Sequence, residues 1–347
     1  MSRRWLGQPR RRVGWTRATC CLIVPLLLSL TACQSTRSAA AVATVARSVA
    51  SANPVPGVLR TAIAPPPALG NGGIPAFSHV FVIVLENAGF QQVVHGGAMP
   101  YLNHLGATYS VATQYYAITH PSLPNYLALL GGSTFGITSD CATCGVDAPN
   151  LVDQLTEHGK SWKAYIEGMP GACSSLPQWP PGRYAKKHNP FLSFADVRDD
   201  QQRCRNDVPY SAFAPDLASG NVPDFVWITP DLCHDGHDCS LSQSDQWLAA
   251  QVPSILDSSA FRQGGVLFIT FDEGGNGATA GCCHLAAGGQ VFTLVASPLA
   301  RPGAQISVPY DHYSLLRTIE DAWKLPYLGG AGDPATANMA ACFVASP

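Results

Sequence analysis

Five runs along the chain are apolar without alternating: HVFVIVL (79–85), WKAYIEG (162–168), DFVWITP (224–230), GVLFITF (265–271) and QVFTLVA (290–296). Strands of that kind are buried on both faces. Between them lie stretches whose apolar residues recur at helical spacing: MPYLNHLGA (99–107), NLVDQLTEHG (150–159), SDQWLAAQVPSILDS (244–258) and DHYSLLRTIEDAW (311–323). Strands alternating with helices predict an α/β sandwich around a mostly parallel sheet. No internal repeat and no second break in composition interrupts this pattern, so residues 77–345 read as one domain.

Ahead of that domain the pattern is different. Residues 1–17 carry six arginines and no acidic residue, and CCLIVPLLLSL (20–30) follows, running into Leu30-Thr31-Ala32-Cys33. Such a basic head and short apolar stretch form an export signal, too short for a comfortable membrane span. The ending resembles a lipoprotein processing site, so residues 1–33 are expected to be a lipoprotein-type signal leaving Cys33 as a lipidated, membrane-anchored terminus; ordinary cleavage nearby is the alternative. Residues 34–76, rich in Ala, Pro, Gly and Ser, read as a flexible tether.

Composition sharpens the picture. The 347 residues are 46 % apolar and 13 % charged, a globular balance. Removing the signal takes six arginines, leaving 15 basic against 23 acidic side chains, a net charge of −8. An acidic chain with no basic stripe is a poor partner for a nucleic-acid backbone, so no nucleic acid is expected. Nine cysteines remain beyond the signal, an odd number that suggests disulfides plus one leftover thiol in an exported protein. Cys141 with Cys144, Cys173 with Cys204, and Cys233 with Cys239 are close in sequence, while Cys282, Cys283 and Cys342 compete for one bridge. Zinc is the rival reading of CATC (141–144), but no second CxxC accompanies it.

The candidate chemistry gathers where strands end. Glu86 and Asn87 follow the first apolar run, Asp231 the third, and Asp272-Glu273 the fourth. Ligand sites in open α/β sheets lie beyond the carboxyl ends of strands. Glu86, Asn87, Asp272 and Glu273 could together supply the oxygen ligands of a hard divalent cation. In ITHPSLPNYLALLGG (118–132), Ser122 opens a helical run. As a bland cap it needs no further role. Beside a metal it is a nucleophile, with Asn125 one turn later able to donate to a phosphate oxygen. In TPDLCHDGHDCS (229–240), His234 and His237 are either surface residues flanking a disulfide or, for His237, a phosphate binder or leaving-group acid. Asp311 reads as a helix cap, and His312 beside it is a weaker candidate.

Taken in order, VIVLEN, THPSLPNYLALLGG, HDGHDCSLSQSDQWL, LFITFDEGG and DHYSLLRTIEDAWKLP resemble a bacterial phosphoesterase family of secreted acid phosphatases and phospholipases C within the alkaline phosphatase superfamily. The resemblance spans roughly residues 77–328, and RYAKKHNPFLSF (183–194) resembles the short secreted acid phosphatase branch. It implies an alkaline phosphatase-like three-layer sandwich. Glu86, Asn87, Asp272 and Glu273 would hold one divalent metal (Mg, Ca or Zn). Ser122 would be the nucleophile where relatives carry a threonine in a T-F-P-N context, Asn125 a phosphate contact, and His237 the histidine of an N-D-M-H-D pattern. His120, His188, His312 and Asp231 complete the set as substrate-binding candidates.

Two departures stand out. Cys233 and His234 replace residues usually Asp and Asn, and no Asp-His pair follows VLFITF, which argues for one metal rather than two. The expectation is an exported, metal-dependent acid phosphatase for small phosphorylated substrates. The alternatives are a phospholipase C-type phosphodiesterase acting on a phospholipid headgroup and a surface lipoprotein that binds metal or phosphate without turnover.

Overall fold

Strands that are apolar on both faces need cover on both faces, and the sheet shows that cover. The computed structural model describes residues 71–283 and 285–344, within the unit Ile63–Pro347; the signal, Cys20, Cys21, Cys33 and nearly all of the 34–76 tether lie outside the described residues. The strands are β1 Val80–Leu85, β2 Ser110–Tyr116, β3 Trp162–Ile166, β4 Gln178–Trp179, β5 Tyr184–Ala185, β6 Asp207–Pro209, β7 Phe225–Thr229, β8 Val266–Phe271, β9 Gln290–Ala296, β10 Gln305–Ile306 and β11 Tyr310–Asp311. The central sheet runs β10-β2-β9-β8-β1-β7-β3-β6, with β11 also on β2; β4 and β5 form a separate hairpin. Only the β9 pairings, with β2 and β8, are antiparallel in the central sheet. Every residue of β1, β7 and β8 is buried. Successive side chains point to opposite faces, so helices and loops must cover both, which makes this an α/β sandwich around a mostly parallel sheet.

All five apolar runs became strands. The one long strand without a signal in the pattern is β2, SVATQYY. Its Thr113 and Gln114 are half-buried, and its register against β9 shifts between Ala112 and Tyr115, so no clean period survives. The expected helices form at Pro100–Thr108, Leu151–Glu157, Leu241–Asp257 and His312–Trp323, the last capped by Asp311, whose Oδ1 accepts from the Ser314 amide.

Ladder bonds carry the chain into the region beyond the strand ends. β1 lies between β7 and β8, parallel to both, with Leu85 opposite Phe271. The Asp272 amide donates to the Leu85 carbonyl, and the Glu86 amide donates to the Asp235 carbonyl, each at 2.9 Å. The second bond brings the loop after β7 against the end of β1. Gly236 makes this approach feasible: its φ is +101°, and a Cβ there would meet the Glu86 carbonyl at 3.3 Å. Disulfides join Cys141–Cys144, Cys173–Cys204 and Cys233–Cys239, as proximity suggested, which removes the zinc reading of CATC. The three-way competition resolves as a bridge between adjacent Cys282 and Cys283, leaving Cys342 buried with a free thiol.

One buried carboxyl ties the fold to pH. Asp207, in β6, has no solvent exposure, and burial pushes its carboxyl up to about 7. Oδ2 accepts from Asn189 Nδ2 at 2.8 Å, while Asp207 Oδ1 and Asn189 Oδ1 are both buried without partners. The folded state therefore holds the Asp207 proton up to about pH 7, whereas the unfolded chain releases it near pH 4. Between those values the folded state binds more protons, so stability falls as pH rises, by an amount on the order of 4 kcal/mol. Asp207→Asn removes the ionisable group and keeps an acceptor for Asn189 Nδ2. Denaturant melts at about pH 5 and pH 8 should show a smaller loss of stability in this variant than in the parent; equal losses would discount Asp207 as the source.

Candidate active site

The ends of β1 and β8 emerge side by side and deliver Glu86 and Asp272, both fully buried. Ser122 is the first residue of the Ser122–Gly131 helix, every residue of which is buried. Its Oγ donates to Glu86 Oε2 at 2.9 Å and also lies beside Asp272. The hydroxyl and the acidic groups therefore converge. Ser122 follows Pro121, which occupies the capping position without a side-chain bond. The capping bond comes instead from Asp140, whose Oδ1 accepts from the Leu123 amide at 3.0 Å.

His188 completes the cluster. It is 2 % exposed, with Nδ1 3.0 Å from Asp235 Oδ2 and Nε2 3.1 Å from Glu86 Oε1. Burial drives its pKa down to about 3, so the ring is neutral. Nδ1 then carries the proton and donates to Asp235, and the Nε2 lone pair faces a carboxylate oxygen. The Tyr126 ring stacks on the imidazole, centroids 5.4 Å apart at 12°. Burial, and for Glu86 the charges of Asp272 and Asp235, push the carboxyls of Glu86, Asp235 and Asp272 well above their ordinary range.

The polar atoms left without hydrogen-bond partners here include Glu86 Oε1, His188 Nε2 and Asp272 Oδ2. Glu86 Oε1 and His188 Nε2, 3.1 Å apart, are atoms of the kinds that bind divalent cations, and Asp272 Oδ2 is a further buried oxygen without a partner. Glu86, His188 and Asp235 are the residues whose ligand atoms lie within 4.8 Å of one another, and Asp272 is not among them. The two oxygens of Asp235, however, already accept from His188 Nδ1 and the His237 amide. It therefore has the geometry of the carboxylate that orients a metal-binding histidine.

The remaining candidates are placed differently from expectation. Asn87 presents its side-chain amide to Glu86 Oε2 at 2.9 Å and its backbone amide to Asp272 Oδ1 at 3.1 Å, with φ at +56°. Glu273 pairs with His120 Nδ1 at 3.1 Å and approaches Asn125 Nδ2 at 3.4 Å, so it sits behind the helix start. Asn125 does not offer its amide outward. Oδ1 accepts from the Ile118 and Thr119 amides, and Nδ2 donates to the Thr119 and Pro121 carbonyls, pinning the segment that leads into Ser122. His120 Nε2 donates to the Ala278 carbonyl at 2.7 Å.

His312, expected to bind substrate, is fully buried, with the Tyr115 hydroxyl donating to Nδ1 and Nε2 donating to the Asp272 carbonyl. Asp231 lies outside the cluster. It belongs to a second group with Glu167 and His234, in which the carboxylates are satisfied by backbone amides, His234 and the Trp247 indole. His237 joins the main site from the loop after β7, its ring centroid 5.4 Å from that of His188.

Sequence reasoning missed Asp235, Lys187 and Asp140. The Asp235 signal was present, since it stands in the HDGHD stretch two residues before His237. Lys187 and Asp140 lie on loops and carry no periodicity. Beside the cluster, Asn87, Gln92, Gly236 and Ser240 border a recess of about 390 Å³.

Comparison with known proteins extends this geometry. Residues 95–326 match the Phosphoesterase family. The chain is 31 % identical over 264 residues to a phosphatidylinositol-3-phosphatase of Mycobacterium tuberculosis, covering 76 % of this chain and 82 % of that protein. It is 31 % identical over 263 residues to a probable acid phosphatase of Kluyveromyces lactis, covering 73 % of this chain and 60 % of the yeast protein. It is 28 % identical over 321 residues to an acid phosphatase of Aspergillus fumigatus, covering 90 % and 66 %. The chain thus spans under two thirds of the length of the yeast and Aspergillus relatives. Among solved structures, a Vibrio parahaemolyticus protein in the alkaline phosphatase superfamily superposes with a TM-score of 0.53 at 10 % identity, covering 77 % of this chain and 72 % of the other. That likeness shows the fold, which is alkaline phosphatase-like.

The unpartnered atoms generate a test. In Asp235→Asn, an amide donating to His188 Nδ1 would turn the His188 Nε2 proton toward Glu86 Oε1, replacing two facing lone pairs with a hydrogen bond. In chelator near neutral pH the variant should melt above the parent, by roughly 2–4 °C per kcal/mol of relieved repulsion. Added divalent cation should stabilise the parent more than the variant. A variant that gains as much from cation as the parent would rule out His188 Nε2 as a ligand atom.

Proposed function

The chain belongs to the Phosphoesterase family, and on that premise we propose that it is an exported, metal-dependent phosphatase that hydrolyses phosphate monoesters through Ser122. The observation that carries this reading is the Ser122 hydroxyl held at 2.9 Å on Glu86 Oε2 beside three buried lone-pair atoms. Glu86, His188 and Asp272 would hold the metal, with Asp235 orienting His188 and Asn87 bracing both carboxylates. A divalent cation bound there supplies charge neutralisation and Lewis acidity toward a phosphate oxygen.

The chain's own groups do the rest. Ser122 Oγ attacks phosphorus in line, and its proton is directed at Glu86 Oε2. The departing alkoxide takes a proton from solvent, and water then hydrolyses the phosphoserine. Asn125 and Glu273 fix the segment before the nucleophile. His312 fixes the Asp272 backbone. The recess next to Asn87 gives the leaving group room.

Relatives named as acid phosphatases favour monoesters, and the mycobacterial relative's name adds phosphoinositides to the substrates worth assaying. Export belongs to the same reading, and four disulfides suit an oxidising compartment. Among the described residues no helix is long and apolar enough to cross a membrane.

Two experiments decide the matter. A panel of p-nitrophenyl phosphate, its bis ester and its phosphocholine ester, run with chelator and after return of single cations, should show cation-restored turnover of the monoester above all. Turnover confined to the diesters would overturn the monoesterase reading. Ser122→Ala should lower kcat by roughly a thousandfold or more and abolish phosphoenzyme trapping, with the melting temperature little changed. Retention of a trapped phosphoenzyme in that variant would place the nucleophile elsewhere.

A further inference from the structure

We propose that Lys187 is the fixed cation that receives the non-bridging oxygens of the substrate phosphate, and that Asp140 sets its position from the helix that carries Ser122. The inference rests on the phosphatase reading above and adds the residue that recognises the phosphate.

Lys187 stands between the β4–β5 hairpin and His188. Its side chain is 18 % exposed, and Nζ donates to Asp140 Oδ2 at 2.9 Å. The other oxygen of that carboxylate accepts from the Leu123 amide, one residue after Ser122. A single carboxylate therefore fixes the ammonium relative to the first turn of the Ser122 helix. Asp140 is itself held, because the Cys141–Cys144 bridge follows it immediately.

The second contact of Nζ is His237 Nε2, at 3.0 Å. An ammonium has three donors and no acceptor, so Nε2 accepts and the ring proton resides on Nδ1, which donates to Asp238 Oδ1 at 2.7 Å. In this arrangement His237 has no outward N–H for a leaving group; it holds the lysine. Two of the three ammonium protons are thereby placed. Among the described residues no third acceptor lies within hydrogen-bond distance of Nζ, which leaves one donor for a ligand.

Charge balance demands such a group. A phosphate monoester brings up to two negative charges toward Glu86, Asp235, Asp272 and Glu273. Lys186 Nζ turns to the Ala142 carbonyl, His120 pairs with Glu273, and His188 Nδ1 is engaged by Asp235. Lys187, though paired with Asp140, is the ammonium that reaches His237 beside the cluster and keeps a donor unused. A lysine acts on phosphate as a point charge and forms charge-assisted hydrogen bonds to its oxygens.

The test uses the cation-loaded full-length protein with p-nitrophenyl phosphate as substrate and inorganic phosphate as competitive inhibitor. Lys187→Met should raise both KM and the phosphate inhibition constant by roughly ten- to hundredfold, the range for a hydrogen bond to a charged group, with a smaller fall in kcat. Lys187→Arg should recover most of the loss. Asp140→Asn, which keeps an acceptor for Leu123 and drops the anion, should give an intermediate rise in KM. If Lys187→Met does not fold, Lys187→Gln retains a donor for Asp140 and carries the same expectation. A phosphate inhibition constant within about twofold of the parent in the charge-removing variant overturns the assignment. So does a fall confined to kcat. Should the parent fail to turn over the monoester at all, the phosphatase reading falls. Calorimetric titration of inorganic phosphate into parent and variant then decides Lys187 separately, with equal affinities counting against it.

Discussion

The constraint on which this molecule depends is buried negative charge gathered at the ends of two neighbouring parallel strands. Glu86 and Asp272 arrive there because Leu85 and Phe271 are opposite in register. Asp235 arrives because its carbonyl takes the Glu86 amide. Bringing such groups together without a counter-charge opposes folding, through desolvation and through mutual repulsion. The fold tolerates the arrangement because fully buried β1, β7 and β8 on either side supply apolar burial that does not depend on the site.

Around this cluster the polar side chains divide by whether their bonding capacity is spent. Asn125, Asp235 and His312 have theirs filled by backbone or side-chain partners, and each braces a neighbour. Asn125 holds the segment before Ser122, Asp235 orients His188, and His312 supports the Asp272 backbone. Glu86, His188 and Asp272 keep buried lone pairs without partners. The Glu167–Asp231–His234 group has a similar composition, but both Glu167 oxygens, Asp231 Oδ1 and His234 Nδ1 already have hydrogen-bond partners. Residue type alone does not separate these two clusters; the hydrogen-bond account does.

Helix and loop geometry then connect binding to chemistry. The amide end of the Ser122 helix is a favourable place for a developing anion. Its Leu123 amide is already committed to Asp140, and through Asp140 to Lys187 and His237. Asp140 thereby links the first turn of the Ser122 helix to the Lys187 ammonium. The Cys141–Cys144 and Cys233–Cys239 bridges restrain the two loops that supply these groups.

The sequence by itself determined the sheet's principal strands, the helix behind Ser122 and the acidic residues at the ends of β1 and β8. Unbroken apolar runs and the polar residues that stop them are local features, and local features survive in one dimension. It could not reveal β2, whose half-buried Thr113 and Gln114 and shifted register erase the period. Nor could it rank the polar candidates. Asn125, Glu273 and His312 have the right chemistry, and only packing shows their groups already engaged with neighbours. His188, Asp235, Asp140 and Lys187 come from separate loops, and long-range hydrogen bonds and disulfides bring them to Ser122. Tertiary structure made that choice because a ligand atom is defined by what it lacks: a buried lone pair counts as available only when every possible neighbour has been accounted for in space.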